Sequence, residues 1–235
     1  WPETDNYFPN SPFKMINKVL IAEDHESANI SVRKILEEME IKDIDYAYYC
    51  DDALQKIRYA QQLKWPYDLL ITDLYFEADG RDQVIEDGRE LIAAARQEQP
   101  GLRILVFSAE SKPDIIERLF EHHQIDGYVR KARHDVRELK LAFESISQNQ
   151  RYLPRHLSQL FRQKNSHEFT EFDIAVISLL AQGVRQNRIP EQLQQMKIRP
   201  NGLSTIEKRL AHIRQVLQCN NNEQLIAFCK DMGII

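Results

Sequence analysis

Cysteine is scarce in this chain. There are only three, Cys50, Cys219 and Cys229, and no C-x-x-C pair. An odd, scattered set excludes a disulfide framework and a four-cysteine zinc site, so buried, reduced thiols are expected. Glycine and proline are also sparse, at 7 and 9 in 235 residues. That excludes collagen-like and low-complexity chains. Long apolar runs are missing: the longest, Ile174 to Ala181, spans eight residues and includes Ser178. A bilayer span needs about 20. The opening stretch, WPETDNYFPN, lacks the basic-then-apolar pattern of a secretion signal. A soluble, cytoplasmic protein with no membrane partner is therefore expected.

What is present is an ordinary globular composition, 43% apolar and 29% charged, with a formal net charge of -5. The charge is unevenly spread. Residues 1–147 hold 19 Lys and Arg against 29 Asp and Glu, whereas residues 148–235 hold 12 against 7. An acidic half followed by a basic half suggests two domains, the second facing a polyanion.

Residues 1–14 are polar and aperiodic and read as an N-terminal arm. From Lys18 onward, short apolar runs alternate with helical patterns. Val19 to Ala22, Ile44 to Tyr49, Asp68 to Thr72, Ile104 to Phe107 and Gly127 to Val129 read as strands. Amphipathic stretches near 26–39, 52–64, 87–99, 113–122 and 135–149 follow them. Five such units predict an α/β fold, a doubly wound five-stranded parallel sheet covered on both faces, over residues 15–147. Residues 148–166 read as a linker with a short helix, Arg155 to Gln163. Residues 167–235 are wholly helical in period. Thr170 and Asp173 form a capping-box pattern, and Gly183 ends the helix they start. Further helices are expected near 184–196, 204–218 and 222–231, giving a small all-α domain.

In an open parallel sheet, ligands bind beyond the carboxyl ends of the strands. Glu23-Asp24 follow the first strand here, Asp73 the third, Ser108 the fourth and Lys131 the fifth. Three carboxylates packed together repel one another, which a hard divalent cation such as Mg²⁺ relieves. Asp73 is the candidate nucleophile, able to form an aspartyl-phosphate. Lys131 and Ser108 are placed to meet phosphoryl oxygens. Phosphohydrolases of related architecture carry a second Asp two residues after the nucleophile; Tyr75 stands there instead, so an enzyme acting on an outside substrate is not expected.

The segments Lys18 to His25, Ile71 to Leu74, Val106 to Ala109 and Gly127 to Lys131 resemble the receiver domain of two-component response regulators. The resemblance implies phosphoryl transfer from a sensor histidine kinase to Asp73. It implies Mg²⁺ held by Asp24, Asp73 and, through water, Glu23. It also implies a hydroxyl–aromatic switch made of Ser108 and Tyr128. The loop Leu74 to Asp87 is longer than in that family, with Asp79-Gly80 early and Asp87-Gly88 late. Tyr75 and Phe76 in it are placed to slow water attack. Ala132 follows Lys131 where many receivers carry proline.

Residues 167–235 resemble the LuxR-type helix-turn-helix of the NarL/FixJ group, most clearly over Thr205 to Leu217, and Tyr152-Leu153-Pro154 in the linker is typical of it. The resemblance implies double-stranded DNA as partner, a homodimer on activation and control of transcription. Helical spacing sets Ile206, Leu210, Ile213 and Leu217 on the buried stripe. Glu207, Lys208 and Ala211 are then the base-facing candidates, with Ser204, Arg209, His212 and Arg214 toward phosphates. Leu225, Ile226 and Phe228 are the candidate dimer surface. The segment Gln194 to Leu203 is longer than the family's turn. With only 8 basic against 7 acidic side chains in 167–235, weak DNA binding by a monomer is expected. The alternative is a diverged helix-turn-helix that binds protein.

Overall fold

A computed structural model of the chain describes residues 16–132 and 135–235. The expected arm, residues 1–14, lies outside the described residues. Five strands form one parallel sheet: β1 (Lys18–Ala22), β2 (Asp43–Ala47), β3 (Leu69–Thr72), β4 (Arg103–Ser108) and β5 (Gly127–Arg130), in the order β2-β1-β3-β4-β5. Helices α1 (Glu26–Glu38), α2 (Cys50–Gln62), α3 (Gly88–Glu98), α4 (Pro113–His122) and α5 (Asp135–Ser147) alternate with them. This is the doubly wound class read from the sequence, followed by an all-α unit. The parallel sheet is buried on both faces, which is why β3 and β4 read as continuous apolar runs. Val19, Ile21, Leu69, Ile71 and Phe107 pack with Val32 and Leu36 of α1 and Leu139 and Ile146 of α5. The alternate residues Leu20, Leu70, Ile104 and Val106 point to the opposite face and are equally buried.

Two boundaries differ from the sequence expectation. β2 stops at Ala47 because Tyr49 becomes the N-cap of α2, which starts two residues earlier than expected, at Cys50. β3 starts at Leu69, while the Asp68 carboxylate turns back to accept from the N–H groups of Asn17 and Lys18 at 2.9 and 3.2 Å.

The chain divides into two units, one of residues 1–111 with 118–154 and one of 112–117 with 155–235. The second unit is built from α6 (Arg155–Asn165), α7 (Glu171–Ala181), α8 (Ile189–Gln195), α9 (Leu203–Val216) and α10 (Asn222–Asp231). Helix α6 belongs to it rather than to a free linker, with Leu160 and Phe161 packed against its core. The capping box forms at α7: Thr170 Oγ1 accepts from Asp173 N–H, and the Asp173 carboxylate accepts from Thr170 N–H at 3.0 Å. Gly183 ends that helix at φ +83°. The helix expected over 184–196 is shorter. Gln186–Arg188 is a 3-10 turn and α8 begins at Ile189, since Pro190 lacks an N–H and suits only the first turn.

The proposed dimer surface is corrected. Leu225 and Phe228 are 0% and 8% exposed and form part of the unit's own core, with Ile226 packed against it. The cysteines are unpaired, Cys50 and Cys229 buried and Cys219 partly so. Burial pushes the Cys229 thiol up to about 12. Among the described residues, no helix is long and apolar enough to cross a membrane.

Candidate functional site

The switch point of the sheet falls between β1 and β3, and the residue after each strand carries a carboxylate. Backbone ladders continue one step past the strands: Glu23 N–H donates to Ala47 O at 3.0 Å, Asp73 N–H to Ala22 O at 3.0 Å and Lys131 N–H to Ser108 O at 2.8 Å. Those bonds fix Glu23, Asp73 and Lys131 on one edge. The Lys131 ammonium lies 2.5 Å from Asp73 Oδ2 and 2.5 Å from Glu23 Oε2. Both carboxylates are buried. Burial raises the Glu23 carboxyl despite the opposing effect of Lys131. Burial alone would lower Lys131, but its hydrogen bonds to Asp73 and Glu23 outweigh it and hold the ammonium up.

Asp24 is the more open carboxylate. Its Oδ2 accepts from Glu77 N–H at 2.7 Å and its Oδ1 lies 2.8 Å from His25 Nδ1. Burial would raise it, yet those bonds lower it on balance, and Asp24 in turn raises His25. Glu23, Asp24 and His25 place one ligand atom each within 4.8 Å of one another. His25 was not among the residues singled out in the sequence; its place directly after Glu23-Asp24 was the available signal.

Ser108 is fully buried at the end of β4, with its Oγ 3.5 Å from Glu110 N. Tyr128 is also fully buried, and its hydroxyl donates to Glu110 O at 2.6 Å. Burial pushes that phenol far up. The Tyr75 hydroxyl donates to Glu110 Oε2 at 2.5 Å. Glu110 thus links the loop after β3 to the aromatic on β5. Nothing in its position along the sequence announced that role.

The long loop after Asp73 is tied down at both ends. Of its two Asp-Gly pairs, the late one adjoins Asp73. A Cβ on Gly88 would stand 1.9 Å from the Asp73 carbonyl oxygen, whereas nothing lies within 4 Å of one on Gly80. Asp87 caps α3 through the N–H groups of Arg89 and Glu90, at 2.8 and 2.9 Å. Asp51 accepts from Val84 and Ile85 N–H at 2.8 and 3.1 Å. Arg81 binds both oxygens of Asp52 and stacks 4.2 Å over the Tyr49 ring, while the Tyr49 hydroxyl donates to Asp79.

In the helical unit, the stripe Ile206, Leu210 and Ile213 of α9, continued by Leu217 at its C-cap, is buried as its spacing predicts. Ser204, Glu207, Lys208, Ala211 and His212 are exposed. Arg209 and Arg214, expected to face phosphates, also have partners within the fold. Arg209 Nε and Nη2 hold Asp173 Oδ1 and Oδ2 at 2.7 and 2.6 Å, because that fully buried carboxylate needs a paired cation. Arg214 is half-buried and donates to Asn222 Oδ1 at the start of α10.

The doubly wound sheet and its acidic, lysine-closed edge define an α/β module with a charged site at the switch point. The chain belongs to the response regulator receiver domain family, whose model matches residues 19–144. No curated protein matches the sequence. Among solved structures, the chain is similar to the RcsB response regulator of Salmonella typhimurium, with 22% identity, 92% of this chain and 100% of that chain covered, and a TM-score of 0.62. It is similar to RcsB in a DNA complex, with 21% identity, 93% and 99% coverage and a TM-score of 0.56. A LuxR-family two-component response regulator from Aurantimonas sp. is 21% identical, over 66% of this chain and 100% of that one, with a TM-score of 0.54. At these identities the likeness is one of fold.

Proposed function

We propose that the chain is a DNA-binding response regulator whose helical unit is controlled by phosphorylation of Asp73. The observation that carries the reading is the Lys131 ammonium held 2.5 Å from Asp73 Oδ2, at the mouth of a buried acidic edge. Transfer from a sensor kinase forms a bond between an Asp73 carboxylate oxygen and phosphorus and breaks the phosphorus–nitrogen bond of phosphohistidine. Lys131 is placed to pair with the phosphoryl oxygens, and Ser108 to donate its hydroxyl to one of them. Tyr128 follows from its place beside Ser108, as the ring whose packing reports the change.

Glu23, Asp24 and Asp73 offer oxygen ligands, the donor set that suits Mg²⁺. That ion, when bound, neutralises charge on the transferring group. The phosphoryl group is a signal held on the chain rather than a step in turning over another substrate, and a regulator of this kind works in the cytoplasm. The output reading is supported by the exposed face of α9 and by the similar RcsB, described both in a DNA complex and as dimers bound to DNA. A homodimer on paired half-sites follows. A second reading, a helical unit that docks protein, is favoured by the engagement of Arg209 and Arg214 within the fold.

Selection of genomic DNA by the full-length protein, with and without a small acyl-phosphate donor and Mg²⁺, tests the proposal. Mass increase and enriched DNA, both lost in Asp73→Asn, are expected. A protein that takes the phosphoryl group and enriches no DNA at low or moderate salt overturns the DNA reading in favour of the second.

A further inference from the structure

The turn between α8 and α9 has a closure whose sequence runs against its backbone. Helix α7 ends with Gly183 N–H on Leu180 O at 2.9 Å and Val184 N–H on Leu179 O at 3.0 Å. Helix α8 ends the same way, with Lys197 N–H on Gln194 O at 3.1 Å and Ile198 N–H on Leu193 O at 2.9 Å. In this motif the left-handed position favours glycine. Gly183 fills it at φ +83°, but in α8 it is Lys197, at φ +59°. Glu40, Lys64, Asn149 and Gln218 close other helices in the same way at positive φ, so the closure does not single Lys197 out but fixes where its side chain leaves the backbone.

The turn is anchored rather than loose. Ile198 packs against the helical core, while Lys197 and Arg199 on either side of it are exposed. Both line one concavity of about 610 Å³ that Thr205 and Arg209 of α9 also line, which sets them beside the first half of that helix. Arg188 and Arg209 are spent on Glu191 and Asp173. Lys197, Arg199 and Lys208 pair with no carboxylate among the described residues. Long, exposed, unpaired cations on a fixed turn suit a regular polyanion, and such contacts set register without reading bases.

We propose that Lys197 and Arg199 form a clamp on the phosphate backbone of duplex DNA, beside Arg209 and Arg214, whose side chains are held by Asp173 and Asn222. The inference rests on the DNA-binding reading above and names the surface through which it works. The test is binding of the full-length protein to a selected duplex and to an unrelated duplex, titrated across salt. The Lys197→Ala/Arg199→Ala variant should bind both duplexes about tenfold or more weakly, with a salt slope lower by about two, one for each cation removed. Lys197→Gly should melt at a higher temperature than the natural protein yet bind DNA more weakly, a pairing that a purely structural lysine does not produce. Lys230→Ala removes a charge elsewhere in the unit and should leave the slope nearly unchanged.

If the natural protein binds DNA and the double variant keeps its slope, the clamp is wrong and the function stands. An equal loss in Lys230→Ala, or a changed base preference in place of a uniform loss, also overturns it. If the natural protein binds no duplex at any salt, phosphorylated or not, the functional reading itself has failed and the clamp falls with it.

Discussion

The carbonyl of Asp73 and the α-carbon of Gly88 meet face to face, so that a Cβ at residue 88 would lie 1.9 Å from the carbonyl oxygen and 2.9 Å from the carbonyl carbon. Gly88 N–H also donates to Leu74 O at 3.0 Å. The long loop therefore leaves the acceptor and returns to its backbone. Gly88→Ala should force the two segments apart, costing about 1–3 kcal/mol as overpacking does, and slow phosphorylation of Asp73. Gly101→Ala, with open space around it, is the control and should be close to neutral. Thermal melting and the rate of mass increase with an acyl-phosphate donor check both.

Asp173 and Arg209 make the acid side of the helical unit's stability pH-dependent. Burial would raise the Asp173 carboxyl, but Arg209 and Thr170 outweigh it and hold it below the ordinary value. A depressed folded value means the stabilisation is complete above the unfolded value, about 4, and is lost as pH falls through the folded one. Asp173→Asn should cost about 3 kcal/mol near neutrality. The gap to the natural protein should close below that window. Melting followed from pH 7 down to pH 3 measures it.

Tyr75 is held beside the acceptor by Glu110, and the same bond pushes its phenol up to about 12. On the proposed function, a ring fixed there would limit the approach of water to a phosphoryl group on Asp73. Tyr75→Ala should shorten the phosphorylated lifetime several-fold, with Tyr75→Phe in between, since the ring stays but loses its tether. Timed loss of the phosphoryl mass decides it, and an unchanged lifetime in the alanine variant removes the shielding role.

Asp51 accepts two N–H groups from the loop, those of Val84 and Ile85. Asp51→Ala should cost about 1–2 kcal/mol for the bonds lost. Amide hydrogen exchange should rise across residues 79–86 while the β-sheet stays protected. Uniform loss of protection throughout the sheet would show that the loop is part of the unit's global cooperativity.

The sheet and its acidic edge were legible because both are written locally. Apolar runs mark the strands; Asp73 follows one of those runs directly, and Lys131 follows another after Arg130. The choice between the two Asp-Gly pairs was not, since it depends on which glycine meets the Asp73 carbonyl in space. The Arg209–Asp173 pair was hidden for a related reason. The position of Arg209 on the helix points toward solvent as readily as toward Asp173, and only the buried carboxylate beside it decides. Phe228 misled: in this small helical unit the final helix is part of the core.

The two rims of the sheet end differently. At β5, Tyr128 N–H donates to Tyr152 O at 3.1 Å and Tyr152 N–H to Asp126 O at 2.9 Å, so the segment after α5 forms a stub of parallel bridge with Gly127. At β2 the outer edge carries Asp43 and Asp45, which hold Trp65 and Tyr67 through side-chain hydrogen bonds. Unpaired strand rims invite pairing between molecules, and charge or cover discourages it. One rim is thus guarded by acidic side chains and the other by the connecting peptide. A fragment cut after Ser147 would strip the second guard from the strand that bears Tyr128, whereas one cut after Pro154 would keep it.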